Sequence, residues 1–317
     1  MNPEEKASLD ARIAALGPGE RLVVPMTGSE YHARPEISSG GVRCIRNSGE
    51  FSYFHAYVAR DLPAEDSDPF RLGRIFHLAM ADVHWRQKIF VLPLTLMECE
   101  ELAVIRKSWL GRTRKSLEVG AEIDKASPAH REYLDLLKAN RQFIEWATED
   151  ELSLATEQIQ AVLDNPATAW LADPNLKHEV CGFYRCPRTG LLLKAMADVW
   201  YETIDQSLIA DFKTTRFGTR RAFGRWACSR EVAIHVQVYH YCEVFGAQEA
   251  AVVSVRNFRP CEAMFFSVPH WRMQEAKGIH EAALDLIAEC SEMGEWHSAG
   301  YAERNQLVEE TDFAAAM

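Results

Sequence analysis

The alternation of apolar and polar residues predicts two neighbouring β-strands in the second half of the chain. The segment LLLKAMADVW alternates residue types and ends at Trp200, and the segment LIADFK follows after a short polar stretch. Side chains two residues apart on a strand share a face, so Asp211 and Lys213 point to one side and Phe212 to the opposite, apolar side. If the two strands pair, Asp198 comes beside Asp211.

Apolar periodicity predicts further elements on both sides of these strands. Helices are predicted over residues 71–80, 129–146, 149–164, 219–245 (in two pieces around Arg230) and 270–292. Strands are predicted over residues 88–93, 178–184, 250–255 and 263–268. A helical region, three strands, a helix, two strands and a last helix are typical of a mixed α/β domain with one central sheet.

The same pattern suggests where the domain begins and ends. Residues 1–30 are polar and are interrupted by Gly17-Pro18-Gly19, which predicts a flexible N-terminal lead-in. Residues 31–301 are expected to form one domain, and residues 302–317, acidic and then alanine-rich, a frayed tail. Ser38 or Ser39 is expected to cap a short helix near the start of the domain.

Length and cysteine usage narrow the class of protein. The chain has 317 residues, without an apolar run long enough to span a bilayer and without a basic-then-apolar leader, so we expect a cytoplasmic protein with no membrane partner. Its eight cysteines form no C-x-x-C pair. This scatter is typical of reduced thiols and disfavours a zinc site.

Charge is distributed unevenly along the chain. The net charge is −11, from 35 basic and 46 acidic residues, and a uniformly acidic surface would repel nucleic acid. From Phe212 to Arg230, however, there is no acidic residue, and six lysines and arginines are interleaved with Phe217, Phe223 and Trp226. Cations beside planar rings suit a nucleic-acid backbone and its bases, although most charge runs are only solvated faces.

The predicted pairing brings together the groups that phosphodiester hydrolysis needs. Mg²⁺ prefers oxygen ligands, which Asp198, Asp211 and the carbonyl of Phe212 would supply. Lys213, as an ammonium, would orient the attacking water or offset charge on the phosphate. A D-x-K triplet also arises by chance, and the alternative interpretation is a solvated ion pair on an edge strand.

Four other residues are weaker candidates. His77 lies beside the apolar stripe of the 71–80 helix, one turn after Gly73, where a core histidine is the ordinary interpretation. Glu179 is a further candidate carboxylate or a surface residue. Gln237 and Tyr241 are four residues apart and so share a helix face, with Tyr241 in the core and Gln237 exposed as the alternative.

The ordered set of motifs resembles a known family. The set resembles the motifs of the PD-(D/E)xK nucleases of the RecB-like group. Its members in chain order are G-x3-H at Gly73 and His77, then Glu179, Asp198, D-x-K at Asp211 and Q-x3-Y at Gln237. Within that group the chain resembles the RecE-type exonucleases, through YHARPEISSGGV, LGRIFHLAM, TGLLLKAMADVW, LIADFKTTR, HVQVYHY and GEWHSAGY, over about residues 31–301.

The resemblance implies a fold and a role for each matching residue. The fold would be restriction-endonuclease-like, with a mixed central sheet flanked by helices and a helical N-terminal portion. His77, Asp198, Asp211 and Phe212 would bind metal, and the catalytic set would be Asp198, Asp211, Lys213, Glu179, Gln237 and Tyr241. The residues expected to contact DNA are Ser38, Ser39, Arg74, Thr214, Arg216, Arg220, Arg221 and Arg225.

The resemblance also implies an activity: Mg²⁺-dependent 5′-to-3′ digestion of linear double-stranded DNA, with Mn²⁺ as a substitute metal, leaving 3′ overhangs for phage-type recombination. The partners would be DNA ends, a RecT-like annealing protein and further copies of the chain in a ring. Relatives often carry arginine where Met196 stands, which removes one phosphate contact. The cysteines do not match the quartet that binds an iron–sulfur cluster in some relatives, so no cluster is expected.

Alternatives to that activity remain at this point. A structure-specific endonuclease of the same fold would cut covalently closed circles, which an exonuclease leaves intact. A non-catalytic module would bind DNA ends without Mg²⁺. A metal-free structural protein with acidic surfaces would show no salt-sensitive DNA binding.

Overall fold

The computed structural model describes residues 2–62, 68–91, 145–203 and 206–297. Its helices are α1 (Pro3–Ala14), α2 (Gly28–Ala33), α3 (Ser39–Tyr53), α4 (Asp68–Ala81), α5 (Glu149–Asp164), α6 (Arg220–Ala227), α7 (Ile234–Phe245) and α8 (His270–Met293). Its strands are β1 (Arg21–Pro25), β2 (Ile89–Val91), β3 (Glu145–Ala147), β4 (Lys177–Arg185), β5 (Leu192–Glu202), β6 (Ser207–Thr215), β7 (Glu249–Arg256) and β8 (Ala263–Ser267). Short irregular helices occupy Phe54–Val58, Trp85–Lys88 and Ala169–Ala172.

One mixed sheet of six strands organises the molecule, in the order β1-β4-β5-β6-β7-β8. Only the β6–β7 pair in it is parallel. A parallel pair needs a crossover connection, which α6 and α7 supply. The strands β2 and β3 form a separate small parallel pair. The predicted α/β fold with a mixed central sheet flanked by helices is confirmed.

Helices cover both faces of the sheet. On one face α3, α7 and α8 enclose a core that includes Leu193, Ala195 and Ala197 of β5. On the other face α4 and α5 enclose a core that includes Phe76 and Phe212, whose rings meet edge to face at 5.6 Å. Burial of these apolar faces is the main favourable term in holding the layers together.

Glycine at position 182 sets how closely α7 lies on β4. A Cβ added at Gly182 would lie 2.9 Å from the Cγ1 of Val244 and 3.0 Å from the ring of Phe245. These contacts are too short for any larger residue, so the glycine allows α7 to pack directly on the sheet. That packing fixes the helix that carries Gln237 and Tyr241.

Most predicted elements are found close to their predicted bounds. The helix over 149–164 is α5, begun by a capping box at Thr148, and the final helix is α8. Ser38 caps α3 by accepting the Gly41 N–H at 3.3 Å, as expected. The helix over 219–245 is broken into α6 and α7 on either side of the residues around Arg230.

Two expectations about individual segments are wrong. Residues 2–30 do not form a flexible lead-in: α1 packs through Leu9 and Ile13, and β1 pairs along its length with β4. Leu22, Val23 and Val24 form an apolar edge strand whose partner, β4, is far away in sequence. The polar residues around these three gave no local indication of a strand. The predicted helix over 129–146 ends in the strand β3, while residues 129–144 lie outside the described residues. The expected tail over 302–317 also lies outside them.

The described cysteines are free thiols: Cys44, Cys181, Cys186, Cys228, Cys242, Cys261 and Cys290. Burial raises the pKa of the Cys181 thiol to about 12, so this thiol is protonated and unreactive at neutral pH. Among the described residues, no helix is both long and apolar enough to cross a membrane.

Candidate active site

The candidate site forms where β5 and β6 part. Their pairing ends at Val199 and Ala210, and the next two residues, Asp198 and Asp211, face each other beyond the last pair. One oxygen of Asp198, Oδ2, accepts the backbone N–H of Phe212 at 2.6 Å. The side chain therefore takes the place of the next ladder hydrogen bond, and the two acids lie together as the sequence predicted.

The pairing of β4 with β5 is irregular at the level of Asp198. The register of β4 and β5 runs through His178↔Val199 and Val180↔Ala197 but skips Glu179 and Asp198. Glu179 has a φ of 48°, in the left-handed region that costs a non-glycine residue about 1–2 kcal/mol. Such strain persists where the surrounding structure enforces it, often at functional sites.

This irregular pairing also reverses which face of the sheet successive side chains of β5 point to. Ala197 packs in the core beneath α7, whereas Val199, two residues later, packs with Phe76 and Phe212 in the core on the opposite face. A strand with regular alternation would place both on one face. Asp198 is thus the residue at which β5 changes phase, which frees its side chain from both cores and leaves it at the opening.

Helix α4 contributes the histidine. The Nδ1 of His77 lies 3.1 Å from the Oδ1 of Asp198, and the ring of His77 meets the ring of Phe212 edge to face at 5.9 Å. A Cβ added at Gly73, one turn earlier, would be 3.4 Å from the Oγ1 of Thr214, so helix and strand approach closely there. The weak sequence signal at Gly73 and His77 therefore marks a real contact with Asp198.

Helix α7 and β6 hold Asp211. The Nε2 of Gln237 donates to the Oδ1 of Asp211 at 2.9 Å and lies 2.9 Å from the hydroxyl of Tyr241. The other oxygen of Asp211 forms an ion pair with the ammonium of Lys213, which also donates to the carbonyl of Phe212 at 3.3 Å. Gln237 and Tyr241 are both buried, so the alternative of an exposed Gln237 is wrong.

The site remains open to solvent on its outer side. The side chains of His77 and Lys213 keep 29% and 22% of their surface exposed, and Asp198 keeps 13%, whereas Asp211 keeps only 3%. A groove of about 960 Å³ passes Glu179 between the end of β1 and the first residues of β4. His77, Asp198 and Lys213 are thus partly accessible to solvent, whereas Asp211 is buried.

The two acids titrate in opposite directions. Burial favours the neutral form of Asp198, but the charges of His77 and Lys213 and the N–H of Phe212 outweigh it and lower its pKa. Burial raises the pKa of Asp211, and the charge of Asp198 adds to that shift against the pull of Lys213. Two carboxylates that share a site and one cation divide their protonation in this way.

The remaining titratable groups respond to the same charges. Burial opposes the imidazolium of His77, but the carboxylate of Asp198 outweighs it and raises the pKa of His77. Desolvation by the surrounding protein, followed by the charge of Asp198, raises the pKa of Glu179. Burial also raises the pKa of Tyr241, which keeps its hydroxyl protonated. The site thus holds three carboxylates against one ammonium and one histidine.

The donor set suits a hard divalent cation. The carboxylates of Asp198 and Asp211, the carbonyl of Phe212 and the imidazole of His77 could hold such an ion, and the excess of negative charge favours one. Within the described residues, no three His, Cys, Asp or Glu side chains converge as a ready-made metal site.

The residues expected to contact DNA lie on several elements. Ser38 and Ser39 begin α3, and Ser39 is buried. Arg74 on α4 is half exposed and forms an ion pair with Glu145 at 2.8 Å. Thr214 lies on β6, half-buried, next to Lys213.

The basic segment after β6 is exposed. Arg216 follows β6, and Arg220, Arg221 and Arg225 lie on α6. Arg220 is partly engaged, because it donates to the carbonyl of Phe265 at 2.7 Å and stacks over the ring of Phe266. The segment therefore presents cations beside β6 without touching the carboxylates.

Arg43 was missed by sequence reasoning. It lies on α3 and donates to the carbonyl of Val232 at 2.9 Å, just before α7 begins. Its positive charge acts on the hydroxyl of Tyr241. Arg43 lies in the VRCI segment of the chain. No local sequence pattern indicates that an arginine of α3 contacts the start of α7, which is far away in sequence.

Comparisons with known proteins bear on the family and the fold of the chain. A family model described as the PD-(D/E)XK nuclease superfamily matches residues 47–315. A solved structure described as a "putative exonuclease" from Eubacterium rectale is 13% identical, covers 93% of this chain and 100% of its own, and superposes with a TM-score of 0.52. That of SSO0001 is 15% identical over 69% of this chain and 84% of its own, with a TM-score of 0.28. The comparison with curated protein sequences gives no match.

Proposed function

The chain belongs to the PD-(D/E)XK nuclease superfamily, and on that premise we propose that it is a Mg²⁺-dependent exodeoxyribonuclease that degrades linear double-stranded DNA from its 5′ ends. The observation that carries the proposal is the juxtaposition of Asp198, Asp211 and Lys213 at an opening between two strands. The resemblance of the motifs to RecE-type exonucleases supports the finer choice of DNA ends and of 5′-to-3′ direction.

Each side chain has a distinct task in phosphodiester hydrolysis. Lys213, held by Asp211 and the carbonyl of Phe212, presents an ammonium that offsets the negative charge developing on the phosphate. Gln237 fixes the orientation of Asp211, and His77 fixes that of Asp198. Such fixed orientations lower the reorganisation that the transition state would otherwise require.

Glu179 is placed to manage the proton of the attacking water. Its raised pKa makes it a stronger base than an ordinary glutamate, and it lies in β4 at the level of Asp198, whose charge contributes to that shift. Nucleases of this superfamily generally use divalent metal ions. When bound by Asp198, Asp211, His77 and the Phe212 carbonyl, Mg²⁺ would supply Lewis-acid activation and neutralise phosphate charge.

Digestion of matched DNA substrates tests the proposal. A linear duplex labelled at its 5′ ends should lose its label as mononucleotides in Mg²⁺, while a 3′ label stays on a long strand, and a covalently closed circle should stay intact. Nicking of the circle would support the structure-specific endonuclease instead. Binding of duplex ends with no hydrolysis of any substrate would support the non-catalytic module.

Two further parts of the proposal rest on the resemblance alone. These are the ring-shaped homo-oligomer and the RecT-like annealing protein that would take over the 3′ overhang. Light scattering on the purified protein tests the first, since a monomeric mass at working concentration contradicts a ring. Stimulation of strand annealing by a RecT-type protein on partly digested duplex tests the second, and unchanged annealing contradicts it.

A further inference from the structure

The first turn of α8 presents an aromatic side chain to solvent. Trp271 is 61% exposed, the only tryptophan of the described residues in the exposed class. The guanidinium of Arg272 lies over its ring, 4.3 Å from the centroid. Single exposed apolar residues are common on protein surfaces. The residues around Trp271 therefore decide whether it has a role in binding.

Three arginines from three segments form a connected set, and one of them, Arg272, lies over this ring. Arg46 of α3 reaches the loop between α6 and α7, where its Nη1 lies 3.5 Å from the carbonyl of Arg230. Burial and then the positive charge of Arg230 lower the pKa of Arg46, so the two cations are close neighbours. Arg272 completes the set from α8. Like charges placed together are unfavourable unless an anion compensates them.

Two acids partly offset these charges. Glu275 forms an ion pair with Arg272. The pKa of Glu231 is lowered by hydrogen bonds from its own backbone N–H and from Ser229, and the charges of Arg230 and Arg46 add to that shift. With Arg43 included, four arginines stand against two glutamates in a chain whose net charge is −11. The local sign of charge is therefore opposite to that of the whole protein.

This surface lies against α7, the helix that also holds the candidate active site. Burial lowers the pKa of His235, in the first turn of α7, and the charges of Glu275, Arg272 and Arg46 act on the same ring. Gln237, two residues further along the same helix, holds Asp211. On the other side of the 228–233 loop lie the exposed arginines of α6. The 228–233 loop therefore joins the arginines of α6 to Arg46 of α3, with Glu231 and Glu275 as the acids beside it.

We infer that Arg46, Arg230, Arg272 and Trp271 bind the single-stranded DNA that degradation of the opposite strand leaves behind. The arginines would neutralise its phosphates, and the exposed indole ring would stack on one of its bases. A duplex hides the faces of its bases in its own stack, whereas a single strand offers them, so the ring selects the single strand. This inference rests on the proposed function, because a single-stranded product exists only if one strand is removed.

Anisotropy of a short fluorescein-labelled oligodeoxythymidylate, measured in EDTA so that cleavage is excluded, tests the inference. Trp271→Ala should weaken binding roughly tenfold, the loss of one base–aromatic stack of about 1.4 kcal/mol. Arg230→Ala should reduce the slope of log affinity against log salt by about 0.7, the value for one phosphate contact on a single strand.

Phe258→Ala is the matched control. Phe258 is also an exposed ring, 43% exposed, with the guanidinium of Arg256 5.4 Å from its centroid, but it lies between β7 and β8. Its loss should leave oligonucleotide affinity unchanged. Equal weakening by Phe258→Ala and Trp271→Ala would overturn the inference, since the effect would then be nonspecific.

Two further outcomes would overturn the inference by other routes. Unchanged affinity in a folded Trp271→Ala protein would show that the ring does not contact the strand. A smaller oligomer with unchanged affinity would make Trp271 a contact between copies of the chain. Neither outcome depends on hydrolysis, so an inactive wild-type protein that still loses oligonucleotide affinity through Trp271→Ala would refute the proposed nuclease function alone.

Discussion

Two polar clusters contact the same strand, β5, and the same helix, α7, and only one of them has the features of an active site. The carboxylate cluster consists of His77, Asp198, Asp211 and Lys213. The histidine cluster consists of Lys194, His240 and His280, with Lys194 four residues before Asp198 on β5 and His240 one residue before Tyr241 on α7. Both clusters contain buried titratable groups, so burial alone does not distinguish them.

The histidine cluster is closed and satisfied by the backbone. The ammonium of Lys194 donates to the carbonyls of Tyr31 and Arg34, each at 2.7 Å, and burial lowers its pKa to about 8. His240 joins the carbonyl of Lys194 at 2.9 Å and the ring of His280 at 3.0 Å. These contacts tie α2, β5, α7 and α8 together and leave no acceptor for a substrate.

The carboxylate cluster differs in three physical respects. With the adjoining carboxylate of Glu179 it carries an excess of negative charge, it is open on one side, and Glu179 itself is strained. Its members are held by one another rather than by backbone carbonyls alone, so a ligand can exchange with them. The comparison teaches that unmatched charge and access, more than a shifted pKa, distinguish the candidate active site from a structural cluster.

The largest expected effect comes from exchanging one lysine. Lys213→Met should lower the rate of duplex hydrolysis by at least about 10²–10³-fold, because the cation that faces the phosphate is lost. The melting temperature should change little, since Lys213 keeps part of its surface exposed. Initial rates of nucleotide release in Mg²⁺ measure this effect. Full activity in Lys213→Met would remove the distinction between the clusters.

The matched exchange in the histidine cluster should act on stability instead. Lys194→Met leaves the carbonyls of Tyr31 and Arg34 without their buried donor and should lower the free energy of unfolding by about 2–5 kcal/mol. The activity of the protein that remains folded should be near that of the wild type. Urea unfolding beside the nuclease assay separates the two quantities, and an inactive but fully stable Lys194→Met protein would contradict the assignment.

Acid should lower the stability of the protein through the histidine cluster. Burial lowers the pKa of His240 to about 4, whereas an unfolded chain holds histidine near 6.5. Above pH 6.5 both states are neutral and the full stability is present. As the pH falls towards 4, only the unfolded chain takes up the proton, so the free energy of unfolding should drop by about 3 kcal/mol from this residue.

Urea unfolding of the wild type and of His240→Gln across that pH range isolates this contribution. Carboxylates titrate equally in both proteins, so the difference between the two curves belongs to the histidine. The variant should be less stable at neutral pH but should lose less stability in acid. Parallel curves for the two proteins would show that His240 takes up its proton in the folded state.

The smallest expected effect concerns backbone strain. Glu179→Gly should raise the free energy of unfolding by about 1 kcal/mol, because glycine tolerates a φ of 48°. Glu179→Gln should bring no such gain, and both variants should lose activity because the carboxylate is gone. Equal stability of the two variants would place the strain elsewhere. A gain in stability with a loss of activity is the trade-off typical of a strained functional residue.

The sequence predicted the carboxylate cluster because its members are close along the chain or carry a motif. Asp198 and Asp211 lie on consecutive strands, so pairing alone brings them together, and the glycine before His77 gave a local signal for the α4 contact. The α/β fold followed from the order of periodic segments for the same reason. Their functional roles stay predictions until activity is measured.

The features that the sequence did not predict depend on contacts between segments that are far apart in the chain. The edge strand β1 pairs with β4 across more than half the chain, and Lys194 is buried only because α2 covers it. The left-handed conformation of Glu179 follows from the change of phase in β5, which no residue preference announces. Such features need the tertiary structure, because their cause is the packing of elements rather than the local sequence.

The most direct measurement compares nucleotide release from linear duplex DNA by the wild type and by Asp211→Asn in the same Mg²⁺. The substitution keeps the size of the side chain and the hydrogen-bonding partner Gln237 but removes the charge that faces Lys213. The account predicts a folded variant whose hydrolysis is reduced by at least about 10²-fold. Hydrolysis at the wild-type rate by Asp211→Asn would contradict it.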